Sequence, residues 1–395
     1  MGRAGNGTRG QVGGGDPDAL LPGDRRHEHR RPIGRIAAVA LAAAAAWLIA
    51  FSVWSAEPAA YDFIALYAPA RLIATGHGAS ATDLDAVFVV EHEAVPARTI
   101  VMGHANVPAL SYLMAPLGAL PIEVAYAIWT ALGVLALVAA AFLLGRLADP
   151  SQIRLLFPFA VLAPTSLIAL VEGQTTPFIL LLVAGSLRAP PFWSGALLGA
   201  TVLRPQVFPL FALVALTDRR RAAGMISMLV VLVLVSFVAI GPEGMARYPG
   251  LLTRATTELR PGELGLAPLV RRVVQGGDSF LIYLALGAIA FALGAVAVLL
   301  RSRAIVSRIA DASTWSLLVA PHALLHDGVF AYPGVASAST TSRRTALWVG
   351  AGIAASLLQQ AGIPVAPFYL LALFFGAGPP HREARTLPGA FPTRP

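Results

Sequence analysis

The 395-residue chain has no cysteine, and although Lys and Arg together number 29, every one of these cations is an arginine. Without thiols, disulfides and thiolate metal sites are excluded. Charge of either sign is scarce. Only 13% of residues are Asp, Glu, Lys or Arg, against about 25% in an average soluble domain. What fills the chain instead is apolar, with 56% hydrophobic residues and a mean hydropathy of +0.70. That balance excludes an ordinary soluble domain and points to an all-α polytopic membrane protein. The net charge of +8 and a pI near 10.5 would suggest nucleic acid in a soluble protein. Here the arginines sit mostly in short loops between apolar runs, which is the positive-inside pattern, so no nucleic-acid partner is expected.

Residues 1–33 are rich in Gly, Arg and Asp and show no apolar period. They read as a disordered cytoplasmic tail, in which His27, Glu28 and His29 are solvated. Residues 34–55 form the first expected span, and both this run and the tail before it are too long for a secretory signal. Arg25, Arg26, Arg30, Arg31 and Arg35 keep the N-terminus inside, so Asp62 faces outward. Residues 56–121 form a first external segment. In it Phe63, Leu66, Tyr67, Ala70, Leu72 and Ile73 recur at helical spacing, which predicts an amphipathic helix along the outer surface, bent at Pro69. His77 and the group Asp83, Asp85, Glu91, His92 and Glu93 are expected in a loop. Residues 106–116 are too short between prolines to span, and read as a re-entrant or interfacial helix. From residue 122 onward, apolar runs alternate with arginine-bearing loops. The expectation is about twelve spans within a membrane domain at 34–376, a second external loop at 241–278 and a cytoplasmic tail at 377–395.

That topology gathers the rare polar residues at one depth on the outer face. They are Asp62, the triplet Glu172-Gly173-Gln174, the triplet Arg204-Pro205-Gln206, and a stretch holding His322, His326 and Asp327. Ionisable groups at membrane depth are costly and mark sites of function. The acidic group at 83–93 has no fixed ligand spacing, so no metal is expected there. A transporter or flippase for a lipid-linked or small polar substrate is the competing class, but no internal repeat supports it.

The order of these features resembles glycosyltransferase family 87 of the GT-C superfamily, the polyprenyl-phosphate-mannose-dependent mannosyltransferases. The features are an Asp after the first span, an interfacial Pro-containing helix, the Gly173-Gln174 pair, and Arg204-Pro205-Gln206 after the Gly195–Gly199 helix. A Pro-His with a nearby His-Asp completes the set. Arg204 stands where the family often has lysine, and Asn106-Val107-Pro108 stands where it commonly has an aromatic followed by two prolines. The resemblance implies a GT-C-type bundle of about twelve transmembrane helices with interfacial helices in the first external loop. It also implies inverting transfer of a sugar, usually mannose, from a polyprenyl-phosphate-sugar donor to a glycolipid or glycan acceptor. The reaction would take place at the extracytoplasmic side of the plasma membrane, among membrane lipids and without a cofactor or metal.

Such a transfer needs one carboxylate to take the acceptor's proton and cations to meet the departing phosphate. Asp62 is the candidate base, with Glu57 a weaker one; the alternative is a helix-end carboxylate paired with Arg71. Arg204 reads as a phosphate holder or as a snorkelling helix-end residue. Gln174 and Gln206 read as phosphate or sugar ligands or as helix caps, and His322 as a ligand or a helix-end histidine. Glu172 is a possible supporting residue, and His326 with Asp327 either an orienting pair or a turn before Gly328.

Overall fold

The structure, a computed structural model, describes residues 62–96, 101, 106–145, 152–257, 264, 266, 279–301, 304–320, 323–339 and 341–376. The two expected tails, the expected first span, Glu57 and His322 lie outside these residues. Among the described residues the regular structure is helical throughout. In chain order, α1 is Phe63–Ala74, α2 Leu84–Ala94, α3 Pro108–Gly118, α4 Ile122–Gly145, α5 Ile153–Leu162 and α6 Pro164–Val171. Next come α7 Thr176–Ser186, α8 Pro191–Ala200, α9 Phe208–Leu216, α10 Arg219–Thr257 and α11 Ser279–Arg301. The last described helices are α12 Ile305–Val319, α13 Tyr332–Ala338, α14 Ser342–Gln360 and α15 Ala366–Gly376. Short 3-10 turns occupy Gly78–Thr82, Thr201–Leu203 and Leu325–Ala331.

Two described helices, α4 and the Arg219–Leu252 part of α10, are long and apolar enough to cross a bilayer. Several others expected as spans are much shorter. α7 has 11 residues, α8 has 10 and α9 has 9, so at 1.5 Å per residue each rises only about 14–17 Å. Their interruptions are written in the sequence. Pro164, Pro177, Pro191 and Pro209 each sit in the first turn of a helix, where a missing N–H costs nothing, and so begin a helix rather than continue one. Broken helices at membrane depth are tolerated where protein encloses them. Here the breaks lie beside a single large apolar core that includes Leu170, Ile179, Leu198, Val207 and Phe330.

The segment expected to be the first external one differs from its expected form in two respects. α1 is not a surface helix with one wet face, because Phe63 through Ala70 and Leu72 are all buried. It lies backbone-to-backbone on α3: a Cβ at Gly118 would fall 2.5 Å from the Ala70 carbonyl carbon. Asp83, Asp85, Glu91, His92 and Glu93 are not in a loop either. Asp83 caps α2 by accepting from the Asp85 N–H, and Asp85 lies in its first turn, favourable for the helix dipole. Pro108 starts α3 as a short helix of 11 residues, in keeping with the expected non-spanning length. The stretch expected to be a second external loop also begins as helix. α10 continues past Gly241, whose φ of +64° resets the axis before Pro242. Thr82 ties the first segment to that reset by donating to the Gly244 carbonyl at 3.2 Å.

Candidate functional site

Four helix ends and turns carry the polar residues. Asp62 occupies the position before α1 without capping it by its side chain. Glu172, Gly173, Gln174 and Thr175 make the turn from α6 to α7. Arg204 follows the Thr201–Leu203 turn, and His326 and Asp327 lie in the Leu325–Ala331 turn.

The α6–α7 turn is held from both sides. Gly173 has φ +68°, and a Cβ there would meet the Phe63 Cβ at 2.6 Å, so the turn's backbone rests directly on the residue following Asp62. From α4, Trp129 Nε1 donates to the Gly173 carbonyl at 2.8 Å and the Tyr126 hydroxyl donates to the Val171 carbonyl. The same two rings pack on Phe63, with centroid separations of 5.3 Å for Tyr126 and 6.4 Å for Trp129. Tyr126 and Trp129, three residues apart on one face of a helix, are site-building residues that sequence reasoning misses. Their spacing is the one signal that could have found them.

The Leu325–Ala331 turn is seated as firmly. A Cβ on Gly328 would strike Thr165 Cγ2 at 2.6 Å, which lets the turn press onto α6. The Phe330 carbonyl accepts from Ser313 Oγ at 2.6 Å, and the Leu324 N–H donates to Asp327 Oδ2 at 3.0 Å. His326 and Asp327 therefore form part of a turn and also face the site together.

Arg204 is the hub on which these turns converge, with only 5% of its surface exposed. Its Nη1 donates to Gln174 Oε1 at 3.1 Å and to Thr175 Oγ1 at 3.2 Å. Its Nη2 lies 2.9 Å from His326 Nε2 and 2.6 Å from Asp327 Oδ1, the latter an ionic contact to a carboxylate with no exposure. A guanidinium only donates, so both partner orientations are settled. Gln174 must turn Oε1 to the arginine, leaving Nε2 to donate to Asp62 Oδ2. His326 must accept at Nε2, so Nδ1 carries the proton and donates to Glu172 Oε2 at 2.5 Å. One cation thus feeds two outer carboxylates through two neutral intermediaries, Gln174 on one arm and His326 on the other.

The remaining expected site residues are placed differently. Arg71 does not pair with Asp62; it lies in the last turn of α1 and donates to the Tyr67 hydroxyl at 3.3 Å and the Gly118 carbonyl at 3.4 Å. Gln206 is half-buried in the turn before α9 and takes no part in the hydrogen bonds of the cluster. Thr175, not singled out from sequence, is a direct partner of Arg204. Asp62, Glu172 and His326 each present an atom of metal-ligand type, all within 4.8 Å of one another. The Arg204 contact opposes ligation by the histidine, because Nε2 is taken by a donor and Nδ1 bears the proton.

The class is then defined by the fold and the site together: a strongly apolar helical membrane protein whose interrupted helices enclose a charged, hydrogen-bonded cluster. The family model of glycosyltransferase family 87 matches residues 104–326, more than half of the chain, and the protein belongs to that family, one of the GT-C-type glycosyltransferases. No curated protein and no solved structure matches it. The matched region covers Glu172, Gln174, Arg204 and His326, and ends one residue short of Asp327.

Proposed function

We propose that the protein is an inverting hexosyltransferase that moves a sugar, mannose by the family resemblance, from a polyprenyl-phosphate donor to a hydroxyl of a glycolipid or glycan. The reaction is placed at the extracytoplasmic face of the plasma membrane. Asp62 serves as general base: it takes the proton of the acceptor hydroxyl as that oxygen bonds to the anomeric carbon. The bond from the anomeric carbon to the phosphate oxygen breaks, and its electron pair leaves on the polyprenyl phosphate. General-base assistance of this kind is worth about 10²–10⁴-fold, so one residue should dominate the loss on mutation.

The observation that carries this reading is the position of Asp62. It stands at the outer edge of the Arg204 cluster, bonded to the neutral Gln174 amide. Arg204 supplies fixed positive charge beside the leaving phosphate. Its terminal nitrogens already serve four protein groups, so a direct phosphate contact requires the donor to displace Gln174 and Thr175 or His326. Gln206 and His322 are further candidate ligands for the phosphate or sugar.

The test is transfer by the purified protein in lipid nanodiscs, supplied with polyprenyl-phosphate-mannose and a panel of glycolipid acceptors. Transfer by the parent protein and near-complete loss in a folded Asp62→Asn variant is the expected result. Retained transfer in Asp62→Asn removes it as the base, and failure with every polyprenyl-phosphate sugar removes the donor class.

A further inference from the structure

A base that must collect a proton is poorly served by a cation in direct contact. A carboxylate touching a guanidinium is weakened as a base by roughly 1–3 pKa units. Arg204 is nonetheless close at hand, held in place from behind by Asp327 at 2.6 Å. Between Arg204 and Asp62 lies one side chain, Gln174, whose oxygen faces the arginine at 3.1 Å and whose nitrogen faces Asp62. Gln174 is itself buried, with 8% exposure, and follows Gly173, whose backbone is pinned against Phe63. Its amide therefore has little room to turn, and turning it would set N–H donors against the guanidinium.

We propose that Gln174 is a positioning residue: a neutral spacer that keeps Asp62 from pairing with Arg204 while fixing, by one N–H bond, which way the carboxylate points. The inference rests on Asp62 acting as the base. It gives Gln174 a role distinct from phosphate or sugar binding, since both ends of its amide are occupied by protein. A glutamine suits the position for a stated reason. It is uncharged, it offers an acceptor and a donor on one planar group, and it is long enough to bridge the two side chains.

Among the described residues, the titratable or charged groups around Asp62 include Glu172 and His326, within 4.8 Å, and Arg204 and Asp327 behind Gln174. A change at Gln174 leaves these four side chains in the protein, so a shift in the pH profile reports on the group that stands between Asp62 and Arg204. Gln174→Glu is the sharp substitution. It preserves size and the acceptor facing Arg204, but places a second carboxylate against Asp62. Two carboxylates in contact share one proton, and the ionisation of the pair is split. Arg204 favours the charge on the introduced carboxylate, which leaves the proton on Asp62 and disables the base until higher pH.

The experiment measures kcat for sugar transfer against pH in the full-length protein, alongside thermal unfolding, for the parent, Gln174→Glu, Gln174→Met and Asp62→Asn. In Gln174→Glu the ascending limb is expected to move alkaline by about one unit or more, which is a roughly tenfold loss below the limb that is recovered above it. In Gln174→Met, which lacks both hydrogen bonds, kcat is expected to fall about tenfold or more with a smaller change in donor KM. A folded Gln174→Glu with the parent's limb overturns the proposal. So does a Gln174→Met with the parent's kcat, and that variant decides the question if the glutamate variant does not fold. A donor KM rise with unchanged kcat in Gln174→Met would return Gln174 to substrate binding. Activity retained in Asp62→Asn defeats the base assignment instead, so the two failures are separable.

Discussion

Gly173 lies so close to Phe63 that a single added methyl carbon would sit 2.6 Å from the phenylalanine's Cβ. The contact joins the α6–α7 turn to the start of α1, and so brings Glu172 and Gln174 to Asp62. Gly173→Ala meets two penalties, a left-handed φ of +68° and an overlap with a side chain that has no exposed surface. A loss of about 2–4 kcal/mol is expected. It should appear as a lowered unfolding temperature, with transfer activity reduced further than stability alone explains because Gln174 moves with the turn. An alanine variant with the parent's melting point and rate would show the contact to be unimportant.

Arg204 and Asp327 form a pair buried on both sides, at 6% and 0% side-chain exposure. Removing only the arginine strands a carboxylate, and breaking such a pair from one side typically costs about 3–5 kcal/mol. Arg204→Met is therefore expected to be destabilised more than the double variant Arg204→Met, Asp327→Asn. Arg204→Lys should fold better than Arg204→Met but still lose activity, because an ammonium cannot serve Gln174, Thr175, His326 and Asp327 in the planar geometry of the fork. Thermal unfolding of the parent and these three variants in one detergent measures the order. A double variant less stable than Arg204→Met would contradict the account.

The scarcity of charge makes much of this site legible. In so apolar a chain Asp62, Glu172, Gln174, Arg204, His326 and Asp327 stand out individually, and the structure brings all six together. Their pairing is not legible, because it depends on which helix ends meet in space. Arg71, nine residues from Asp62 in sequence, is the partner in the alternative helix-end reading; Gln174, 112 residues away, is an observed one. Helix α2 escapes the sequence because five acidic or histidine side chains suggest a solvated loop. The signature of its start is there nonetheless, with Asp83 before an apolar run and Asp85 in the first turn. The break at Ala163-Pro164 is harder to see, since apolar composition runs straight across it within the expected span 155–171 while the backbone does not.

α8 and α10 cross at van der Waals contact of their backbones. A Cβ on Gly195 would lie 1.9 Å from the Arg221 carbonyl oxygen, and one on Gly224 would lie 1.9 Å from that of Phe192. Small residues permit such close helix crossings in membranes, where packing rather than water exclusion holds helices together. Gly195→Val or Gly224→Val is expected to force the helices apart, displace Arg204 at the end of the α8 segment, and yield protein that aggregates on extraction. Gly287 and Gly350, also in helices, have nothing within 4 Å of where an added methyl carbon would stand. Alanine at either is expected to be tolerated, or to add up to about 1 kcal/mol from helix propensity. Equal damage at all four glycines would argue against the crossing as the cause.

His326 repeats, on the other arm, the task of Gln174. It accepts from Arg204 at Nε2 and donates from Nδ1 to Glu172, at 2.9 Å and 2.5 Å. Nothing in that pair of bonds requires an imidazole. An amide provides the same acceptor and donor, as Gln174 does between Arg204 and Asp62. His326→Gln is therefore expected to keep transfer within about tenfold of the parent. His326→Leu leaves the Nη2 donor of Arg204 with one partner fewer in a buried site, and should lose about 1–3 kcal/mol of stability and most of the activity. The comparison separates an orienting role from a proton-carrying one. If the ring itself passed protons during transfer, glutamine would fail as fully as leucine, since an amide cannot exchange a proton between its two ends near neutral pH. Measuring kcat for both variants at saturating donor, with folding checked by thermal unfolding, distinguishes the two roles directly.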